Sequence, residues 1–557
     1  MSLSRREALH RFGALFALPL LSRGGVSPGV AAWGAAHGAT QGAAPWPTHP
    51  LAFADDPLHG TIAQYQAGRL RGEYTALEIT TRALERCRDL GTRLRAIDLF
   101  ASDTALAEAR ASDARLRART LRGPLDGVPL FAKSIYDLRG LPTTASSAEW
   151  VQLFPQALTR DAIEVARLRA AGAVVLGKTA ADDFAYRGNG TASSSGQVLN
   201  PHDPAGRKTP GGSSAGSAVA VACGLAFCAL GTDDGGSNRI PAQFTGVVGV
   251  KPTFGLVPRS GVIPTWPVLD THGPLARTVA DAALMLDVLA GHDRDDGLSL
   301  TAPWRGGRLG ALDAGALRGA RLGVVEVHAP RAQMTAECLA VLDRALGDCR
   351  AAGALVDAYV PPVDRTNFRD QFAALAKARG DVAPDANSPA STANALRRYF
   401  ERQGMRPAAA LEAVRRGHTA YRAFYDVLPI EWDALARLVR QPYERDAAAV
   451  SFLASRAQVV ETLAKSMAAH RLDAMIYPTM PFKAPDATSP WPDVRTPLGY
   501  GNWLGLPEVS VPAGYGEDGL PAGNLSFVGL PGSDAKLLAL AHAYEQTSRR
   551  FRMPRTG

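Results

Sequence analysis

Lysine is scarce in this chain, with eight against 53 arginines. A lysine inside a motif is therefore more informative than usual. Cysteine is sparse too: Cys87, Cys223, Cys228, Cys338 and Cys349 form no C-x-x-C pair, and none stands at zinc-site spacing from a histidine. The count is odd, so at least one has no partner within the chain. Cys223 and Cys228 lie in an apolar run and read as small core residues. No metal site is indicated. There is also no long basic run, so a net charge of +8 gives little reason to expect nucleic acid as a partner. No segment is apolar over the roughly 20 residues that a bilayer span takes.

What is present is the composition of a globular chain. Its 557 residues are 46% apolar and 20% charged, enough for a substantial core. The N-terminus is different. Arg5 and Arg6 precede a short apolar run, Phe12 to Leu21, followed by an Ala/Gly-rich stretch. That order resembles a twin-arginine export signal, with Ala8 and Arg23 as departures. The expectation is a leader over 1–44, a mature domain over 45–557, and a periplasmic or secreted product with no stable membrane insertion.

Helices and strands alternate along the rest, which indicates an α/β protein. Helical spacing is clear over Thr75 to Cys87, Val279 to Leu289, Met334 to Ala352, Ala408 to Leu428 and Leu537 to Arg549. Short apolar runs at Val128 to Ala132, Ala173 to Leu176, Arg321 to Val327, Ala474 to Tyr477 and Glu508 to Val511 predict strands. Asp381 to Thr392 is the most loop-like stretch in the second half.

Three segments bear on chemistry. "GAVVLGKT" (Gly172 to Thr179) matches a P-loop pattern, but its Ala-Val-Val-Leu insert favours a strand over an irregular phosphate cradle. "GSSAG" (Gly212 to Gly216) matches a nucleophile elbow with Ser214 at its centre, yet Pro210 stands where the preceding strand should be. The third is "GTDDGGSNRIPA" (Gly231 to Ala242). Its paired glycines permit a sharp bend or a close approach just before Ser237. A serine hydroxyl needs a base, and no histidine lies in this cluster. A lysine can serve if burial keeps it neutral, since its reference pKa is about 10.4.

The run from Gly211 to Thr253 is similar to the signature of the amidase signature family. "GVPLFAKSIYDLRGLPTT", "NPHDPAGRKTPGG", "THGPLARTVADAALMLDVLAG" and "GLPEVSVPAG" resemble its flanking segments. The resemblance covers about 55–290 well and 470–549 moderately. It implies one large α/β domain whose mixed, largely parallel sheet is covered by helices. The signature core would be about 125–290, a variable region about 300–460 would shape substrate choice, and 470–549 would return to the core.

Carried onto this sequence, the family triad falls on Lys133, Ser213 and Ser237, with Ser237 as nucleophile and Ser213 as proton relay. The peptide into Ser213 is expected to be cis. Backbone N–H groups at Asp234, Gly235, Gly236 and Ser237 would hold the oxyanion. Departures are Ser134 in place of aspartate, Ala180 in place of asparagine, Asp234 in place of a neutral residue, and Asn238 in place of an aliphatic one. Asp233 and Arg239 read as a structural pair. Tyr136, Tyr186 and Trp266 are candidate substrate contacts. The implied activity is hydrolysis of a carboxylic amide, with aryl amides, esters and carbamates also compatible, and without a cofactor. The partner is then a small-molecule amide, and a homodimer is left open. Two alternatives stand. One is an exported binding protein on a degenerate amidase scaffold. The other is an amidotransferase component that works on tRNA-linked glutamate or aspartate, against which the leader argues.

Overall fold

Helix and strand boundaries follow local chemistry closely. Thr75 opens its helix with a capping box to Glu78, and Thr278 caps the helix Val279–Leu289 by accepting from the Asp281 N–H. The computed structural model describes residues 56–555, apart from 304–311, 328, 364–366, 423–431, 440–445 and 493–495. The expected leader therefore lies outside the described residues, as does the end of the helix expected over Ala408 to Leu428. The described part of that helix is Pro407–Arg422.

The strands are β1 (Ile97–Phe100), β2 (Pro129–Lys133), β3 (Val174–Thr179), β4 (Thr191–Ala192) and β5 (Gly196–Gln197). Next come β6 (Cys228–Asp233), β7 (Val248–Lys251), β8 (Thr271–Ala276), β9 (Arg321–Val324) and β10 (Leu355–Ala358). The last are β11 (Ala474–Pro478), β12 (Glu508–Tyr515) and β13 (Pro521–Val528). Strands β4 and β5 form a small hairpin. The others make one mixed sheet in the order β1-β3-β2-β6-β8-β7-β12-β13-β11-β9-β10. Parallel pairing occupies two blocks, β3-β2-β6 and β11-β9-β10, with an antiparallel run between them. The α/β class and the single helix-covered sheet are as expected.

The parallel block around β6 is deeply buried. Every residue of β2, β3 and β6 is buried, as apolar strands covered on both faces should be. The helix Ala215–Ala222 packs on β6 and β8, and all eight of its residues are buried. Its side chains are small, which lets its backbone approach the sheet. The would-be P-loop is β3, and Lys178 within it is buried against the Pro142 carbonyl at 2.7 Å. Residues 368–469 are mainly helical among the described residues. All five cysteines are buried and free.

Arg277, just after β8, is 1% exposed and reaches four carbonyls. It donates to Val221 and Ala226 at 3.1 and 2.8 Å, and to Leu58 and Gly60 at 2.9 and 2.7 Å. It thereby ties the first described turn to the end of the buried helix. Arg277→Met would remove a donor from each of these carbonyls and is expected to cost at least about 3 kcal/mol. Urea unfolding checks this: the midpoint should fall, and an unchanged midpoint refutes the role.

Candidate active site

Strands β2 and β6 are parallel neighbours, so their carboxyl ends lie side by side. Lys133 ends β2, and Thr232 and Asp233 end β6. This adjacency brings the lysine of one segment to the glycine turn of another. Lys133 is fully buried, with Nζ 2.7 Å from Ser213 Oγ and 2.8 Å from Thr232 Oγ1. Burial lowers its pKa to about 8, against the opposing pull of the Asp234, Asp182, Asp233 and Asp270 carboxyls. Thr232 is a site residue that the motif reading does not single out. Its position is the signal that could have found it, at the end of the strand beside the one that ends in Lys133.

The peptide between Gly212 and Ser213 is cis. A Cβ on Gly212 would stand 2.1 Å from Asp182 Oδ2, so no other residue fits there. Asp182 in turn accepts from the N–H groups of Asn189, Gly190 and Thr191 at 3.3, 2.9 and 3.2 Å. Ser214 N–H donates to the Ser237 carbonyl at 3.2 Å, which joins the two serine loops. The Ser214 side chain points elsewhere: its Oγ lies 3.1 Å from Asn238 Oδ1 and 3.2 Å from the Thr232 carbonyl. Ser214 is thus a buried structural residue, in line with the rejection of the elbow motif.

Ser237 borders a cleft of about 810 Å³ and is 8% exposed. Gly235 faces open space, with no atom within 4 Å of where a Cβ would stand. Gly236 has φ +120°, and a Cβ there would meet Ile240 and Leu498 at 2.7 and 2.8 Å. One expectation needs correction. The Gly236 N–H donates to Asp233 Oδ1 at 2.8 Å, so it is not free for an oxyanion. The N–H groups of Asp234, Gly235 and Ser237 remain as candidates.

Asp233 and Arg239 form the expected pair, with two contacts of 2.8 Å and no solvent exposure. Burial would raise the Asp233 pKa, but the Arg239 guanidinium holds it well below the usual carboxylate range. Arg239 also reaches Glu508 at 2.5 Å and Asn502 at 2.7 Å, two partners that a local reading misses because they lie far along the chain.

The aromatic candidates separate. Tyr186 and Trp266 line the cleft. Tyr136 does not: it is fully buried, donates to the Gly231 carbonyl at 3.0 Å and packs against His272. It is a core residue behind β6, a correction to the expected substrate contact. Trp491, absent from the sequence candidates, joins the cleft wall.

The departures are accommodated locally. Ser134 Oγ accepts from Ser146 Oγ at 2.9 Å. Asn238 donates to the Val250 and Gly273 carbonyls at 3.1 and 3.3 Å. The Ala180 carbonyl accepts from the Gly216 N–H at 2.9 Å. Asp234 is 3% exposed and lines the cleft, and burial together with the neighbouring Asp270 carboxyl pushes its pKa well above the usual carboxylate range.

Comparison with known proteins gives a consistent picture. The family model described as Amidase matches residues 78–538. Among curated proteins, the glutamyl-tRNA(Gln) amidotransferase A-subunit of Symbiobacterium thermophilum is 35% identical, over 86% of this chain and 95% of its own. That of Myxococcus xanthus is 36% identical, over 88% and 98%. Among solved structures, the peptide amidase of Stenotrophomonas maltophilia is 34% identical with a TM-score of 0.74, covering 91% of this chain and 99% of its own.

A base is active only when unprotonated. If Lys133 takes the serine proton, the rate of Ser237 acylation should rise with pH through an apparent pKa near 8 and level off above it. A pH series of single-turnover rates checks this, and a flat profile from pH 6 to pH 9 counts against lysine as base.

Proposed function

The chain belongs to the amidase signature family, and on that premise we propose that it cleaves a carboxylic C–N bond through an acyl-enzyme on Ser237. The observation that carries this reading is the 2.7 Å contact between buried Lys133 and Ser213, beside a cleft that Ser237 borders. Neutral Lys133 takes the Ser213 proton as Ser213 takes that of Ser237. The Ser237 oxygen attacks the carbonyl carbon, and its charge passes to the carbonyl oxygen. Backbone N–H groups of Asp234, Gly235 and Ser237 would hold that oxyanion, and such donors are worth about 3–4 kcal/mol each. The proton returns through Ser213 to the leaving nitrogen, and the C–N bond breaks.

Two fates of the products divide the readings. In a free-standing amidase, water releases the acid and the amine diffuses away; the peptide amidase structure supports this. In an amidotransferase, the nitrogen goes on to an acceptor held by partner subunits. The curated relatives carry that name, and they support this reading at least as strongly. Against it stands the proposed twin-arginine leader, which would take the chain out of the compartment where tRNA is charged. A non-catalytic binding protein is disfavoured by a triad whose three members are all present.

Three experiments test these proposals. A fluorophosphonate should label the folded chain at Ser237. Labelling should vanish in Ser237→Ala and persist in Ser214→Ala, and an adduct on Ser214 overturns the assignment. With unlabelled protein, turnover of amides by the chain alone favours the amidase. Turnover of glutamine only after addition of partner subunits favours the amidotransferase. For the leader, replacing Arg5 and Arg6 with lysine should hold the protein inside the cell, and unchanged export removes the claim.

A further inference from the structure

One wall of the serine cleft comes from a segment far from the signature run. Trp491 lines the cleft together with Tyr186, Arg187 and Trp266. The loop that carries Trp491 is clipped to the chain that leads into Ser213. The Thr209 N–H donates to the Pro485 carbonyl at 3.0 Å, and the Ala487 N–H donates to the Arg207 carbonyl at 2.8 Å. Lys208 pairs with Asp486 at 3.0 Å, and Asn189 Nδ2 donates to the Ala487 carbonyl at 2.8 Å.

The Trp491 ring is fixed as well as its loop. Its Nε1–H donates to Asn189 Oδ1 at 3.4 Å, and it packs on Phe244 and Phe482 with ring centroids 5.9 and 6.0 Å away. Phe244 lies on the helix Arg239–Thr245, which starts two residues after Ser237, so one element sets both the ring and the nucleophile. A Cβ on Gly188 would stand 3.8 Å from Trp491 Cη2 and 3.6 Å from the Gly212 carbonyl oxygen. The indole therefore also reaches the loop of the relay serine. Tyr186 is backed by Phe184, with centroids 6.1 Å apart.

Three rings and a guanidinium are all flat groups. Aromatic pairs gain more than the area they bury, and a guanidinium stacks on aromatic faces. The Arg187 charge opposes a cationic group in the same space. The amine of an amide must leave and give way to water before the acyl-enzyme is hydrolysed, whereas the acyl group stays through both steps. A wall held on several sides suits the part that stays.

Resting on the acyl-enzyme reading above, in its amidase form, we propose that Trp491 is a specificity-determining residue. With Trp266 and Tyr186 it selects amides whose acyl group carries an aromatic ring.

The test is kcat/KM of the full chain for 2-phenylacetamide and 2-cyclohexylacetamide, which differ only in saturation of the ring. The saturated ring is no less apolar, so burial alone gives the phenyl compound no advantage. The phenyl compound should be favoured at least about fivefold, the range that two ring contacts give. Trp491→Leu keeps an apolar side chain without the ring and should cut that preference at least about twofold, while Trp491→Phe should keep most of it. General damage to the fold lowers both substrates alike and leaves the ratio unmoved. Should Trp491→Leu not fold, Trp266→Leu makes the same test. Equal rates, a preference for the cyclohexyl compound, or a ratio unmoved by leucine at either position overturns the assignment. So does failure to turn over 2-phenylacetamide by protein that a fluorophosphonate labels at Ser237. Absence of that labelling instead overturns the acyl-enzyme reading, so the two failures are told apart.

Discussion

The geometry of the glycine turn depends on one buried ion pair. Asp233 is the last residue of β6, and its carboxylate does three things at once. It pairs with Arg239, accepts from the Gly236 N–H at 2.8 Å, and accepts from the Asn238 N–H at 3.1 Å. The turn that presents Ser237 is thus closed over a single charged group. A buried pair repays its desolvation only when its remaining hydrogen-bonding capacity is used. Here it is: Arg239 also engages Glu508 and Asn502, and Asn502 returns a bond to Asp233 at 2.9 Å. Glu508 is held in turn by Tyr477 and Ser526 at 2.8 and 2.6 Å. Strands β11, β12 and β13 therefore share in holding a turn that follows β6.

Against that rigid frame, Lys133 is the group held away from its ordinary state. Its two contacts are hydroxyls, and four carboxyls act on it from greater range. Burial wins over them and moves the amine toward neutrality. Lys251, behind the same turn, is lowered to about 7, by burial and then by Arg239. The difference between the two lysines lies in access. Lys133 meets Ser213, whereas Lys251 Nζ donates to the Pro252 carbonyl at 3.1 Å.

Much of this is legible in the sequence where the information is local. The signature run carries Ser213, Ser237, the cis peptide and the Asp233–Arg239 pair, and a flanking segment carries Lys133, because each depends on residues close together or on a recognised pattern. Strands β2, β3 and β6 are visible as apolar runs. Strand β13 is not: "PAGNLSFV" carries glycine, asparagine and serine, and only its pairing with β11 and β12 makes it a strand. Tyr136 is misread because an aromatic three residues after Lys133 looks the same whether it faces the cleft or the core. The Gly236 N–H is miscounted because its acceptor, the Asp233 side chain, depends on the path of the turn. Glu508 and Asn502 lie more than 260 residues beyond Arg239, beyond the reach of any local rule.

The rarity of lysine has a practical consequence for handling the protein. Lys133, Lys178 and Lys251 are fully buried, which leaves Lys208, Lys377, Lys465, Lys483 and Lys536 as the remaining side-chain amines. Amine-directed coupling to a resin or dye would be confined largely to those five and to the chain's own terminus. The three amines that burial moves toward neutrality are also the ones such reagents reach least. Attachment chemistry can therefore proceed on this chain with the Lys133 amine shielded by the protein interior.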